Sequence, residues 1–420
     1  MSAGAGASME VDIQSVAAGG DGVGRADGLV IFVPRTAPGD RVRVQMQSSK
    51  RFARGKLESV LRSSPQRVTP PCAHYRVDEC GGCQLQHLSY DAQIGVKSAI
   101  VRDAIERIGK RRVELPEVRP SGRQWRYRAK LTLAIDRTPR GWVMGLHPYD
   151  DPVAVFQLAD CPITDEGVVA TWREVMSAAH HLPTAPRLRG SVRLAGADGG
   201  SGCVVVIEGG TLWKSSGALL DAVPSASAVW WKPEGGSRRL VAQRAAAPAG
   251  ASFMQVNADV AAELRTHVLE CAARHAPAVA VDAYAGVGDT AVPLAEAGAR
   301  VTAIELDRDA ARQCAARLPA GSRALEGRVE DLLGRVLPAD VILVNPPRTG
   351  LQERVPKLLE RHAPSARAIL YVSCNPATLA RDVARLPSYD IASLVSFDMF
   401  PQTAHVETVC ELVPRARRST

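Results

Sequence analysis

Between positions 9 and 62 the chain alternates apolar and polar residues in short runs. The period is two at 9–16 and 41–45, the last reading Arg41-Val42-Arg43-Val44-Gln45, and 29–33 is a continuous apolar run. Alternation with this period puts one face of a strand inward and the other outward. The runs are parted by glycine-rich turns such as Gly19-Gly20-Asp21-Gly22-Val23-Gly24, and short strands at this spacing predict a small barrel over 1–62. A helical period follows at 90–109, then a strand-rich middle with apolar runs at 130–135, 141–146 and 204–208. Small-residue stretches at 195–202 and 244–251 read as loops, the second as a unit boundary. From 251 onward strand patterns (278–283, 300–305, 340–344, 367–372) alternate with helix patterns (290–297, 307–318, 351–362, 377–386). That alternation predicts an α/β unit, a doubly wound parallel sheet with ligands at the carboxyl ends of its strands. The chain therefore divides into a barrel at 1–62, a mixed central unit at 63–250 and the α/β unit at 251–420.

Composition narrows the partners. At 420 residues with 46% hydrophobic content, the chain can bury several cores. No stretch approaches the roughly 20 apolar residues that cross a bilayer, and the first residues lack a secretory pattern, so no membrane contact and a cytoplasmic address are expected. The formal charge is +8, with basic clusters at Lys50-Arg51-Phe52-Ala53-Arg54-Gly55-Lys56, at Arg123-Gln124-Trp125-Arg126-Tyr127-Arg128-Ala129-Lys130 and in the tail Arg415-Ala416-Arg417-Arg418. Such clusters suit a polyanion or are solvated faces. Trp125 and Tyr127 add surfaces on which bases can stack. The nine cysteines are expected to be reduced in that compartment, which turns attention to metal binding and catalysis.

A nucleotide-type site is readable at Val279-Ala280-Val281-Asp282-Ala283-Tyr284-Ala285-Gly286-Val287-Gly288-Asp289-Thr290, a buried strand entering a glycine turn, with Glu305 closing the next strand where a ribose diol could meet a carboxylate. The alternative is a tight turn with no ligand. Ala291 stands where the dinucleotide fingerprint has its third glycine. S-adenosylmethionine, which has no pyrophosphate to cradle, fits better, and the motif order resembles class I methyltransferases.

Three further segments end at the same predicted rim. They are Asn345-Pro346-Pro347-Arg348-Thr349-Gly350-Leu351, then Ser373-Cys374-Asn375-Pro376, then Met399-Phe400-Pro401-Gln402-Thr403-Ala404-His405-Val406-Glu407. Together they resemble, nearly residue for residue, the RNA uracil-5-methyltransferase family, and most closely its iron-sulfur branch acting on 23S ribosomal RNA. The N-terminal pattern Gly20-Asp21-Gly22-Val23-Gly24-Arg25, an apolar strand, Val33-Pro34 and Pro38-Gly39-Asp40-Arg41-Val42 resembles the TRAM domain, an OB-like RNA-binding barrel. The resemblance implies a class I S-adenosylmethionine-dependent (Rossmann-like) domain with Cys374 as nucleophile and Glu407 as general base. Its cofactor contacts map to Gln255 in Phe253-Met254-Gln255-Val256-Asn257, and to Tyr284, Asp289, Glu305 and Asn345. Carbon 5 of uracil is too weak a nucleophile to take a methyl group unaided. A thiolate added at carbon 6 loads charge onto carbon 5, and a base later removes the proton there. A free thiol, with pKa ~8.5, is only a few per cent ionised at neutral pH, so the site must assist it, with Arg348 a source of that help.

One position departs from the family, which usually has Asp where this chain has Asn345. Asn-Pro-Pro also opens the motif of amino-group methyltransferases, whose fourth residue is normally aromatic. Here it is Arg348. Amino-group base methylation, transfer RNA as substrate, and an RNA-binding protein with an inactive methyltransferase fold are the competing readings. Cys72, Cys80, Cys83 and the distant Cys161 form a four-thiol set that suits a 4Fe-4S cluster or structural zinc. The resemblance implies the cluster. Transfer-RNA enzymes of bacteria in this family generally lack barrel and cluster, which favours 23S RNA as partner, with no obligate protein partner evident. Cys203, Cys271, Cys314 and Cys410 are expected in cores.

Overall fold

A computed structural model describes residues 8–26, 28–47, 53–196, 202–244, 255–362 and 365–415. Part of the first basic cluster (Lys50, Arg51, Phe52), most of the loop 244–251, Phe253, Met254 and the tail from Ala416 lie outside the described residues.

The first five strands, β1 (Ser8–Val16), β2 (Gly22–Ala26), β3 (Leu29–Val33), β4 (Arg41–Gln47) and β5 (Ala53–Arg62), close into a barrel in the order β1-β2-β3-β5-β4. The alternation in β4 is literal, with Val42, Val44 and Met46 buried and the intervening Arg and Gln exposed. Beyond a one-turn helix α1 (Ala73–Val77) comes α2 (Tyr90–Arg107), started by Ser89, whose hydroxyl accepts from the Ala92 amide. A three-residue strand β6 (Glu117–Arg119) follows.

The central unit is a seven-stranded sheet in the order β13-β12-β11-β10-β7-β8-β9. Its strands are β7 (Lys130–Thr138), β8 (Gly141–Leu146), β9 (Phe156–Gln157), β10 (Arg187–Leu194), β11 (Cys203–Glu208), β12 (Ala226–Lys232) and β13 (Arg239–Gln243). Helices α3 (Glu166–Ser177) and α4 (Ser216–Ala222) lie on the sheet. Trp172 of α3, 1% exposed, fills the space over β10, where a side chain at Gly190 would come within 3.1 Å of the indole.

The third unit starts with α5 (Ala258–Arg274) and then alternates β14 (Val279–Ala283), α6 (Ala291–Glu296), β15 (Arg300–Glu305), α7 (Arg308–Arg317), β16 (Arg323–Glu326), α8 (Val329–Leu332), β17 (Val341–Val344), α9 (Arg354–Arg361), β18 (Ala368–Ser373) and α10 (Pro376–Ala384). It closes with β19 (Tyr389–Phe397) and β20 (Glu407–Pro414), and the sheet order is β16-β15-β14-β17-β18-β20-β19-β6. The strands from β16 to β18 run parallel, and β17 and β18 are buried on both faces, as their continuous apolar runs require. Strands leave β14 in opposite directions, so the ligand crevice falls at its carboxyl end.

Two features cross the divisions read from the sequence. Strand β6 completes the α/β sheet by pairing with β19, and Val101 and Ile105 of α2 are buried in the same core as Val281, Tyr371 and Leu379. The segment 90–119 is thus built into the third unit although it precedes the central sheet in the chain. Cys203, Cys271, Cys314 and Cys410 are all buried. Among the described residues no helix is long and apolar enough to cross a membrane. Trp172→Ala, which removes a fully buried indole from the central core, is expected to destabilise the central sheet by ~3–5 kcal/mol, read as an earlier urea transition.

Candidate active site and four-thiol site

At the carboxyl end of β14 the backbone turns through three left-handed residues, Tyr284 (φ 66°), Gly286 (φ 56°) and Gly288 (φ 89°). A side chain at Gly288 would sit 2.7 Å from Cys314 Sγ, whereas one at Gly286 would meet nothing within 4 Å, so the turn is closed beneath and open above. Glu305 braces it. One carboxylate oxygen accepts from the Gly286 amide (2.8 Å) and the other from the Asp307 amide (2.7 Å). A carboxylate has about four acceptor positions, so this bracing leaves capacity for a diol. Asp282 lies beneath the turn and accepts from the Thr290 hydroxyl, and burial pushes its pKa up to about 7.

Three of the five cofactor candidates, Tyr284, Glu305 and Asn345, lie at the ends of the neighbouring strands β14, β15 and β17, with the Asn345 amide donating to Ala283 O (3.3 Å). Asp289 instead faces outward and pairs with Arg317 at 3.0 Å. Gln255 lies just before α5, next to Val256, whose carbonyl accepts from the Ala129 amide of the central unit. Leu306, which the sequence reading passed over, is 61% exposed directly after Glu305. The signal was available, since an apolar residue following a strand-terminal acid at a rim has no core to enter.

The chemistry-bearing pair is set by one register. Strand β20 runs antiparallel to β18 with Ser373 opposite Thr408, so Cys374, one step past Ser373, and Glu407, one step before Thr408, emerge at the same rim. Cys374 directly precedes Asn375, the cap of α10, whose Oδ1 accepts from the Ala377 amide (3.0 Å), and the helix carries Pro376 at its start. The positive end of that helix favours a thiolate there. Burial and the Glu407 carboxylate push the Cys374 thiol up, and Arg348 opposes both. Burial likewise pushes Glu407 up to about 7, with Arg348 pulling it down.

Arg348 is delivered to this pair by a pinned loop. Its carbonyl accepts from Asn375 Nδ2 (3.3 Å) and Thr378 Oγ1 (3.4 Å). Arg381 Nη2 donates to Thr349 O (2.9 Å), and the buried Asp382 accepts from the Leu351 amide (2.8 Å) and the Tyr371 hydroxyl (2.9 Å). Gly350 (φ 75°) allows the approach, since a Cβ there would lie 2.5 Å from both Arg381 and Asp382. Asp382 gave no sign in the sequence, where it reads as one more polar helix position.

Cys72, Cys80, Cys83 and Cys161 all line one cavity of about 290 Å³, walled in part by Tyr75, Leu131 and Ile163. Among the described residues no group of three or more His, Cys, Asp or Glu side chains is arranged to hold a metal ion. Thiols sharing one cavity are the donor type that soft metals take. Burial pushes the Cys80 thiol up to about 11 and raises Cys83 and Cys161 as well. The surrounding scaffold is tied down from outside. Arg35 of the barrel donates to Tyr75 O (2.6 Å) and Cys80 O (3.2 Å), and His74 Nε2 accepts from the Ala159 amide (2.9 Å).

Part of the second basic cluster is engaged within the fold, while Arg123 and Lys130 remain exposed. Arg126 is spent on Asp160 (2.9 Å) and on the carbonyls of Cys161 and Thr164, and Arg123 pairs with Asp259 at 2.8 Å. Tyr127, 3% exposed, donates to Pro401 O (3.0 Å), so its ring is a core element and no stacking platform. Aromatic interleaving in the sequence could not distinguish a ring facing solvent from one closing an interface. Trp125 remains half-buried.

Comparison with known proteins agrees with this architecture. Residues 320–414 match the family described as tRNA (Uracil-5-)-methyltransferase, and residues 5–57 match the TRAM domain. An uncharacterized RNA methyltransferase of Thermosynechococcus vestitus is 32% identical, covering 97% of this chain and 98% of its own. Another, from Gloeobacter violaceus, is also 32% identical over 97% and 96%. The crystal structure of Pyrococcus abyssi tRNA (uracil-54, C5)-methyltransferase in complex with S-adenosyl-L-homocysteine superposes with a TM-score of 0.71 at 24% identity, covering 96% of this chain and 99% of that one.

A carboxyl held above its ordinary value keeps its proton in the folded state while the unfolded chain has lost it. Stability therefore falls as pH rises from the ordinary value toward 7. Glu407→Gln removes that cost, so its melting temperature should exceed that of the unsubstituted protein at about pH 8 and converge with it at about pH 4.5. A difference independent of pH would remove burial as the cause.

Proposed function

Because the chain belongs to the TRAM-bearing family of S-adenosylmethionine-dependent RNA uracil-5-methyltransferases, we propose that it methylates carbon 5 of a specific uridine in 23S ribosomal RNA through a covalent adduct on Cys374. The observation that carries the reading is the β18–β20 register, which brings a thiol and a carboxylate to one rim beside the end of β17.

Tyr284, Glu305 and Asn345 would hold S-adenosylmethionine, with Gln255 and Asp289 reached from the flanks and Leu306 offering an apolar contact. The cofactor supplies a methyl group from its sulfonium. Cys374, as thiolate, adds to carbon 6 of the uracil, and the displaced electron pair makes carbon 5 nucleophilic enough to take that methyl. Glu407, as carboxylate, then removes the proton from carbon 5. The electrons of the broken C–H bond restore the ring double bond while the C–S bond breaks and its pair returns to the thiolate. Arg348 and the start of α10 assist ionisation of the thiol, and Arg348 counters the effect of burial on the base. A uridine stacked in a helix cannot present carbon 6 to a thiol, so the target is a loop nucleotide or is turned out of its stack. Arg348 where amino-group enzymes carry an aromatic ring argues against an exocyclic amine as acceptor.

Cys72, Cys80, Cys83 and Cys161 would hold a 4Fe-4S cluster, which would fix the segment between barrel and central sheet. Four thiols suit structural zinc as well, and the cluster is the reading that the sequence resemblance supports. The barrel does not choose between ribosomal and transfer RNA, since the Pyrococcus abyssi transfer-RNA enzyme superposes on 96% of this chain, and the ribosomal assignment rests on the four-thiol set and the sequence resemblance.

Two experiments test the reading. RNA containing 5-fluorouridine lacks the proton that Glu407 removes, and with S-adenosylmethionine it should give an SDS-stable protein–RNA adduct that Cys374→Ser abolishes. Mapping 5-methyluridine in 23S and transfer RNA with and without the protein then assigns the substrate. Methylation of transfer RNA alone would overturn the ribosomal assignment, and undiminished methylation by Cys374→Ala would overturn the covalent mechanism. Separately, purified protein should contain iron and acid-labile sulfide, both lost in Cys83→Ser. Stoichiometric zinc without iron would refute the cluster.

A further inference from the structure

The segment 398–406 joins β19 to β20 and delivers Glu407, yet most of what fixes it comes from elsewhere in the chain. Gln402, 2% exposed, sits in the left-handed region at φ 71°, a conformation that a non-glycine residue keeps only when its surroundings impose it. Gln93 of α2, 1% exposed, supplies that imposition at two points. Its Nε2 donates to Gln402 Oε1 (3.0 Å), and its Oε1 accepts from the Gln402 amide (2.9 Å). One turn further along the same helix face, Lys97 donates to Phe400 O (3.0 Å) and pairs with Asp398, both side chains being fully buried. The Tyr90 hydroxyl also donates to Asp398 (2.9 Å). From the cysteine-bearing segment, the Leu85 amide donates to Gln402 O (2.9 Å) and Gln84 Oε1 accepts from the Ala404 amide (3.4 Å). Cys374, in contrast, is carried by β18 and α10, and none of these bonds touches it.

We infer that Gln93 and Lys97 are positioning residues for the base: by clamping the left-handed turn at Gln402 they aim the Glu407 carboxylate at carbon 5 of a ring already bonded to Cys374. This rests on the roles assigned above to Cys374 and Glu407. It separates two steps that share one site. Addition of the thiolate and methyl transfer depend on β18, the loop 345–351 and the cofactor turn. Removal of the carbon 5 proton to Glu407, with return of the C–S electron pair to sulfur, depends on the 398–406 segment. Loosening the clamp should therefore stall the reaction after the methyl group has moved, with the methylated ring still bonded to Cys374.

The test uses the full-length protein, methyl-tritiated S-adenosylmethionine and the RNA that the unsubstituted protein methylates. Gln93→Leu keeps the bulk of the side chain and removes both contacts to Gln402, together with the bond from Gln93 Nε2 to Leu88 O (3.0 Å). Its release of 5-methyluridine should fall on the order of 10- to 100-fold, while the fraction of protein in an SDS-stable, tritiated adduct rises above that of the unsubstituted protein. Gln402→Gly adopts the left-handed turn without strain and keeps the backbone amide that Gln93 binds, so it should retain most turnover. RNA with 5-fluorouridine controls for folding, because its adduct forms without any proton removal and should reach the same level in Gln93→Leu as in the unsubstituted protein. Adduct and product falling together in Gln93→Leu, loss of its 5-fluorouridine adduct, or unchanged turnover would each overturn the inference. Absence of the 5-fluorouridine adduct in the unsubstituted protein would instead defeat the covalent reading on which it rests.

Discussion

A parallel sheet presents only the carboxyl ends of its strands at the ligand rim, and the antiparallel insertion of β20 beside β18 breaks that restriction. Because β20 runs the other way, its first residue lies where its neighbours place their last, so Glu407 meets Cys374 across a single step of ladder. The pairing of Ser373 with Thr408 is fixed by buried side chains on both faces of β18 and throughout the early part of β20. A slip of one residue would turn every one of those side chains to the opposite face. The same core that stabilises the α/β unit thus sets the distance relation on which the proposed chemistry rests.

The electrostatics of that rim are balanced close to neutrality. Burial acts on thiol and carboxyl alike, favouring the protonated form of each, and a negative charge on either raises the cost of a charge on the other. Arg348 and the start of α10 are the opposing influences. Of these the helix end is fixed by the backbone, whereas Arg348 depends on a loop whose far end is tied down through Asp382, Tyr371 and Arg381. A buried carboxylate serving a loop outside its own helix is expensive to strand, which explains why Asp382 is surrounded by donors on several sides.

Much of this was legible from residues alone, and the reason differs by element. The alternation in β4 and the continuous apolar runs of β17 and β18 encode burial directly, and the motifs at 345–351 and 373–376 follow strands whose ends the periodicity already located. What stayed hidden is long-range. Strand β6 is three residues long and has no period to read, and it becomes a strand only because β19 is there to pair with it. Lys97 lies on the apolar face of α2 between Gln93 and Val101, an anomaly visible in the sequence, but its partner Asp398 is some 300 positions away. Tyr127 misled for the same reason, since its partner, Pro401, belongs to a different unit.

The difference at Asn345 bears on how this site would be poised. A carboxylate at the end of β17 would add a second anion to a rim that already places Glu407 beside Cys374, where burial favours the protonated form of both groups and the Glu407 carboxylate adds to the effect on the thiol. An amide keeps a hydrogen-bonding group in that position without adding charge. Arg348, three residues on along the pinned loop, then has one anion fewer to answer. Its charge remains directed at the thiol and the base, the two groups whose ionisation the proposed chemistry requires. On electrostatic grounds the exchange of Asp for Asn makes ionising Cys374 and Glu407 easier, at the cost of one negative charge facing a cationic methyl donor.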